Sequence, residues 1–85
     1  MKEFEFTVSD KDGIHARPAG LLVKEANKYN SDIAIHFAGK TADAKRIFSV
    51  MSLGIKFGDT FKVCINGIDE NDVAENLISF LKNNL

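Results

Sequence analysis

The chain has a single cysteine, Cys64, which excludes an intramolecular disulfide and leaves no zinc spacing to build on. That usage fits a reducing, cytoplasmic compartment. Net charge is scarce as well, because 11 basic residues nearly cancel 12 acidic ones and leave −1 at pH 7. A chain so balanced offers no broad positive field to a phosphate backbone, so nucleic acid is not an expected partner. No apolar run approaches the ~20 residues of a membrane span. Met1-Lys2-Glu3-Phe4 opens directly into an alternating pattern, without the charged start and apolar run of a signal peptide. Repeats, linkers and low-complexity segments are also missing. Residues 1–85 therefore read as one small domain, expected in the cytoplasm without membrane insertion. At this size a deep substrate cavity is not expected, and the chemistry should lie near the surface.

What the chain does contain is clear periodicity. Phe4, Phe6 and Val8 alternate with Glu3, Glu5 and Thr7, the pattern of a strand with one buried and one wet face. Asp10-Lys11-Asp12-Gly13 supplies a turn. From Ala16 to about Asn27 the period changes, and Ala19, Leu22, Val23 and Ala26 form one apolar helical stripe. Ile33, Ile35 and Phe37 mark a second strand, with His36 on its polar face. Ala38-Gly39-Lys40 reads as a hairpin turn into a short strand at Thr41 to Asp43. Ile47, Val50 and Met51 predict a helix of about two turns closed by Gly54, with Phe48 off its stripe. Phe61, Val63 and Ile65 give a fourth strand, with Cys64 on the opposite parity. Val73, Ala74, Leu77, Ile78, Phe80 and Leu81 form the apolar face of a last helix, and Asp69-Glu70-Asn71-Asp72 places negative charge at its start.

The order is β-α-β-β-α-β-α. Four half-buried strands and three one-sided helices predict an α+β fold, a two-layer open-faced β-sandwich with helices on one sheet face. A right-handed first crossover leaves room for the fourth strand to insert antiparallel between the first and second.

Between strand and helix lies Gly13-Ile14-His15-Ala16-Arg17-Pro18-Ala19. Pro18 suits the first helical turn, where its missing N–H costs nothing. Read on residue type alone, His15 is a capping or surface histidine and Arg17 a solvated cation that opposes the helix dipole. Together they fit a different role. A neutral imidazole is a nitrogen nucleophile, Arg17 offers charge-assisted donors, and the free amides of Ala16 and Arg17 at the helix start are candidates to meet phosphate oxygens. The combination predicts reversible phosphorylation of His15 at a shallow, solvent-open site. Gly20 inside the helix has two readings, a close approach by a neighbour or a tolerated cost.

The heptapeptide resembles the active-site signature of HPr, the histidine-containing phosphocarrier of the bacterial phosphoenolpyruvate-dependent sugar phosphotransferase system. The resemblance continues through Gly39-Lys40, Val50-Met51-Ser52-Leu53-Gly54 and Asp69-Glu70-Asn71-Asp72, and covers essentially the whole chain. It implies an antiparallel sheet of order 1-4-2-3 and a monomeric carrier that is not a turnover enzyme. It also implies that His15 accepts a phosphoryl group on Nδ1 from phosphorylated enzyme I, with Arg17 assisting. His15 then passes the group to IIA components of sugar permeases. Neither cofactor nor metal is implied. Gly20, Ile47, Phe48 and Met51 map to the family's partner-docking surface.

One position departs from the family. Regulated members carry a phosphorylated serine at the start of the short helix, where this chain has Arg46. Arginine cannot accept that phosphate and has the opposite charge to a phosphoserine. The expectation is a carrier without the usual serine switch, although Ser49 and Ser52 lie nearby. Two alternatives stand beside it. One is a regulatory HPr-like module acting by protein binding, but the family's regulatory paralogues lose the histidine and keep the serine. The other is a carrier in a nitrogen-related phosphotransfer chain.

Overall fold

The computed structural model describes all 85 residues. The elements follow the expected order: β1 (Lys2–Thr7), α1 (Ala16–Ala26), β2 (Asp32–Phe37), β3 (Lys40–Asp43), α2 (Ile47–Met51), β4 (Thr60–Asn66) and α3 (Glu70–Asn84). The four strands form one sheet of order β1-β4-β2-β3, antiparallel at every pairing. The two-layer α+β architecture is therefore the one that the strand parity and helix stripes require.

Register converts the alternation of each strand into rows across the sheet. Phe4, Val63, Ile35 and Ala42 stand opposite one another in turn, one residue from each strand, and make one apolar row. Glu3, Cys64, Ala34 and Asp43 make the next row, on the other face. A slip of one residue would exchange the two rows, so burial on one face fixes the register. On the covered face Phe61 is the bulkiest fully buried side chain, and its ring packs at a tilt against Phe6 with centroids 5.8 Å apart. Tilted packing suits the quadrupoles of the rings, and burying such a side chain contributes about 1.5–3 kcal/mol. Leu22 and Ala26 of α1, Val50 of α2, and Val73, Leu77 and Leu81 of α3 complete the same core.

Four details differ from the sequence pattern. α2 has only five residues, and Met51 is 37% exposed rather than part of its core stripe. Val50 and Leu53 supply the burial there, and at about 100° per residue Met51 is turned away from Val50. α1 ends at Ala26, one residue before the expected boundary. His36 is half-buried and not simply solvated, because its Nδ1 shares a 2.8 Å hydrogen bond with Thr41 Oγ1 across the β2–β3 pair. Asp69, finally, does not cap α3 with its side chain. Its carboxylate instead accepts the Ser31 hydroxyl and the amides of Asn30 and Ser31, tying the α1–β2 turn to the start of α3. The Ser31 hydrogen bond is the main reason that this carboxyl is held below the usual carboxylate range.

Candidate functional site

The segment between β1 and α1 is anchored on both sides before it reaches His15. Val8 exchanges backbone hydrogen bonds with Asp59 and Gly58, at 2.9 Å each. The Ser9 and Asp10 amides and the Ser9 hydroxyl then all donate to the Leu85 carbonyl oxygen, at 2.7, 2.8 and 2.8 Å. Asp10 turns the chain by accepting the Asp12 amide on its side chain and the Gly13 amide on its carbonyl. At Gly13 two demands coincide. Its φ is +67°, and a Cβ there would sit 2.7 Å from Lys56 Cα and 2.8 Å from the Ile55 carbonyl oxygen. No other residue meets both conditions without displacing backbone. The Ile14 amide donates to that same Ile55 oxygen at 3.1 Å, and the Ile14 side chain is buried.

With Ile14 held inside, His15 is left outside. It is the N-cap of α1, with extended backbone (φ −104°, ψ −169°), and its carbonyl accepts the Ala19 amide at 2.9 Å. Its imidazole makes no capping bond and is exposed. The amides of Ala16 and Arg17 precede the first intrahelical bond and have no acceptor in the chain, while Pro18 has no N–H to satisfy. The Arg17 guanidinium is exposed and forms no ion pair. A nitrogen nucleophile, two backbone donors without acceptors and a guanidinium without an ion pair thus fall within three consecutive residues at a helix N-terminus. Such an arrangement binds an anion by hydrogen bonding and by the dipole.

His15, Arg17, Pro18 and Leu21 line an open depression of about 330 Å³ together with Asp10, Asp12, Asn83 and Asn84. Its lining is mostly polar, as expected for chemistry near the surface. Asn83 and Asn84 have no signal in the sequence, because they lie at the far end of the chain. They arrive only because α3 runs back to the β1–α1 segment. A larger concavity of about 390 Å³ lies on the uncovered sheet face, lined in part by Asp32, His36, Asp43 and Cys64. Neither His15 nor Arg17 lines it, and its side chains do not gather into a metal-binding group.

Beside the depression, the residues expected to form a docking surface divide. Phe48 is 82% exposed and Met51 is also exposed, whereas Ile47 and Gly20 are half-buried against each other. A Cβ at Gly20 would meet Ile47 Cδ1 at 3.7 Å, an ordinary contact, so the tolerated-cost reading of Gly20 fits better than a forced close approach. Leu21, 40% exposed, joins the surface and was not anticipated. Its signal was present, since it stands four residues after Arg17 and off the buried stripe of α1.

An open-faced sandwich with an exposed histidine at the start of its first helix defines a phosphocarrier type of protein, and the comparisons with known proteins agree. The family model described as "PTS HPr component phosphorylation site" matches residues 2–83. The chain therefore belongs to the PTS HPr family. It is 43% identical to the HPr-like protein Crh of Halalkalibacterium halodurans, over 96% of this chain and 98% of that one. It is 40% identical to the phosphocarrier protein HPr of Buchnera aphidicola subsp. Baizongia pistaciae, over 95% of each chain. The crystal structure of HPr-C-His from Thermoanaerobacter tengcongensis superimposes with a TM-score of 0.93 at 36% identity, covering 99% of this chain and 94% of that one. Resemblance and fold both stand as the sequence implied.

Proposed function

We propose that this chain is a stoichiometric phosphohistidine carrier rather than a turnover enzyme. His15 accepts a phosphoryl group from phosphorylated enzyme I and delivers it to IIA components of sugar permeases. The observation that carries this reading is the exposed, uncapped imidazole of His15 beside the unpartnered Ala16 and Arg17 amides. In the accepting step a ring-nitrogen lone pair forms the N–P bond as the donor's bond to phosphorus breaks, and that electron pair leaves with the donor. The delivering step reverses these roles with the next protein as nucleophile. Arg17 and the two amides balance the phosphate charge in both directions. The openness of the site suits a carrier, because a phosphate held more tightly than its transition state would be slow to leave.

Support for the carrier over a regulatory binding module comes from His15 itself, which a module acting by contact alone does not need. The start of α2 adds to it. Arg46 occupies the N-cap of α2 and has no hydroxyl to phosphorylate, while Ser52 Oγ donates to the Ser49 carbonyl at 2.7 Å. The chain accordingly works without the serine switch. Incubation with the cognate kinase and ATP should leave Ser49 and Ser52 unmodified. The carrier acts as a cytoplasmic monomer. A Crh neighbour has been solved as a dimer, so light scattering across a concentration series is the appropriate check.

The deciding experiment is intact-mass measurement after mixing with enzyme I and phosphoenolpyruvate. One acid-labile phosphate, absent in His15→Ala, is expected; no phosphorylation of the unaltered chain overturns the reading. Replacing enzyme I and the IIA protein by their nitrogen-related counterparts separates the sugar role from its nearest alternative.

A further inference from the structure

The depression around His15 is lined by more negative charge than positive. Apart from the histidine, its charged lining residues are Asp10, Asp12 and Arg17, so two carboxylates stand against one guanidinium. The turn before His15 fixes the backbone that carries both acids. Asp10 Oδ1 accepts the Asp12 amide at 2.9 Å, and the Asp10 carbonyl accepts the Gly13 amide at 3.1 Å. Gly13 in turn lies against the Lys56 backbone. Neither carboxylate is neutralised inside the chain. Asp10 and Asp12 form no ion pair, and neither does Lys11 between them.

Such a balance is the reverse of what retains a phosphate. Cations and N–H donors hold an anion, whereas a nearby carboxylate raises its energy by like-charge repulsion. Here Arg17 and the Ala16 and Arg17 amides supply the attraction, and Asp10 and Asp12 oppose it. Charges that line one depression of about 330 Å³ act within the ~10 Å screening length of 0.1 M salt. The repulsion is absent while the imidazole is neutral. It arises once His15 bears the phosphoryl group, and delivery relieves it. In that step the N–P bond breaks, its electron pair returns to the ring nitrogen, and a lone pair of the accepting protein bonds to phosphorus.

We propose that Asp10 and Asp12 set the transfer potential of phosphorylated His15, destabilising the phosphoryl form so that the group is handed on rather than stored. Asp12 has the larger share. One Asp10 oxygen is engaged in the turn, while the exposed Asp12 carboxylate accepts no hydrogen bond. The same repulsion that favours delivery opposes loading by an equal factor, so it acts on the equilibrium between carrier and donor and not only on a rate. The inference rests on the carrier reading and deepens it by naming what governs the direction of transfer.

The test is a competition for the phosphoryl group between two forms of the full chain. Phosphorylated unaltered protein is mixed with an equal amount of isotope-labelled, unphosphorylated variant. A trace of enzyme I without phosphoenolpyruvate equilibrates the group between them, and intact-mass measurement reads the partition. Circular dichroism checks that each variant is folded. Asp12→Asn keeps the size and removes the charge, so its ratio of phosphorylated to free chain should be about 5-fold higher than that of the unaltered protein at low salt. The preference should shrink at about 1 M salt. Asp12→Glu keeps the charge and should partition nearly equally. Asp10→Asn, whose side-chain oxygen can still accept the Asp12 amide, is a second arm with a smaller shift of the same sign. A merely structural role would lower the urea midpoint without moving this equilibrium. Equal partition for both asparagine variants overturns the inference, as does a preference for the unaltered chain or one that Asp12→Glu shares in full. The two readings fail separately: phosphorylation with equal partition refutes only this inference, whereas no phosphorylation of the unaltered chain refutes the carrier and this inference with it.

Discussion

Ser9 and Leu85, 76 residues apart, are joined at one backbone oxygen, which accepts both the amide and the hydroxyl of Ser9. The end of α3 thereby holds the segment that presents His15. Ser9→Ala removes only the hydroxyl donor and keeps both amide bonds. A loss of about 1 kcal/mol is expected, the usual value of one such bond, measurable as a lower urea midpoint with an unchanged m-value. Phosphorylation of His15 should slow modestly, because the anchoring bonds of Asp10 and Ile14 remain.

Two glycines on either side of His15 should respond in opposite directions to the same substitution. Gly13→Ala places a methyl group 2.7 Å from Lys56 Cα in a left-handed conformation. Backbone strain and overpacking together should destabilise the fold by about 2–4 kcal/mol. Gly20→Ala meets only Ile47 Cδ1 at 3.7 Å and gains helix propensity, so it should stabilise by about 0.5–1 kcal/mol. Paired urea melts check both signs, and destabilisation by Gly20→Ala would show that the α1–α2 contact is tighter than its geometry indicates.

The β2–β3 hairpin contains an avoidable strain. Ala38 takes φ 52° and Gly39 φ 79° in a two-residue loop of the type that needs positive φ at both positions. Ala38 is exposed, so its methyl group gains little in return. Ala38→Gly should raise stability by about 1 kcal/mol, read as a higher melting temperature.

Tyr29 and Glu25 give stability a dependence on pH at both extremes. The Tyr29 hydroxyl donates to Glu25 Oε2 at 2.6 Å. Burial, then this hydrogen bond, pushes the phenol from 10.0 to about 12. Because the folded value is the higher, its contribution is complete below pH 10.0 and is lost as pH rises towards about 12. Glu25 is shifted the other way, first by the Tyr29 bond and then by Lys28. Its contribution is present above its ordinary 4.5 and disappears as pH falls through the lower folded value. Denaturant midpoints compared across pH should show the alkaline decline reduced in Tyr29→Phe and the acid decline reduced in Glu25→Gln.

By itself the sequence determined the element order, the sheet face that each strand buries, and the stretch that bears the family's signature. These are local properties: a period of two or 3.6 residues, or a histidine, arginine and proline at fixed spacing around a helix start. Phe48 was legible as exposed for the same reason, since it falls off the stripe of its own helix. The tertiary structure decided what depends on distant segments meeting. Only the Lys56 backbone explains why position 13 excludes a side chain altogether, and only the return of α3 brings Asn83, Asn84 and the Leu85 oxygen to the histidine loop. Asp69 illustrates the difference. Its place at the start of α3 marks it as a helix cap, but Ser31 and Asn30, far away in sequence, are where its hydrogen bonds go. Met51 has helical spacing with a buried neighbour, yet five residues of helix leave it outside, exposed like Phe48 and Arg46.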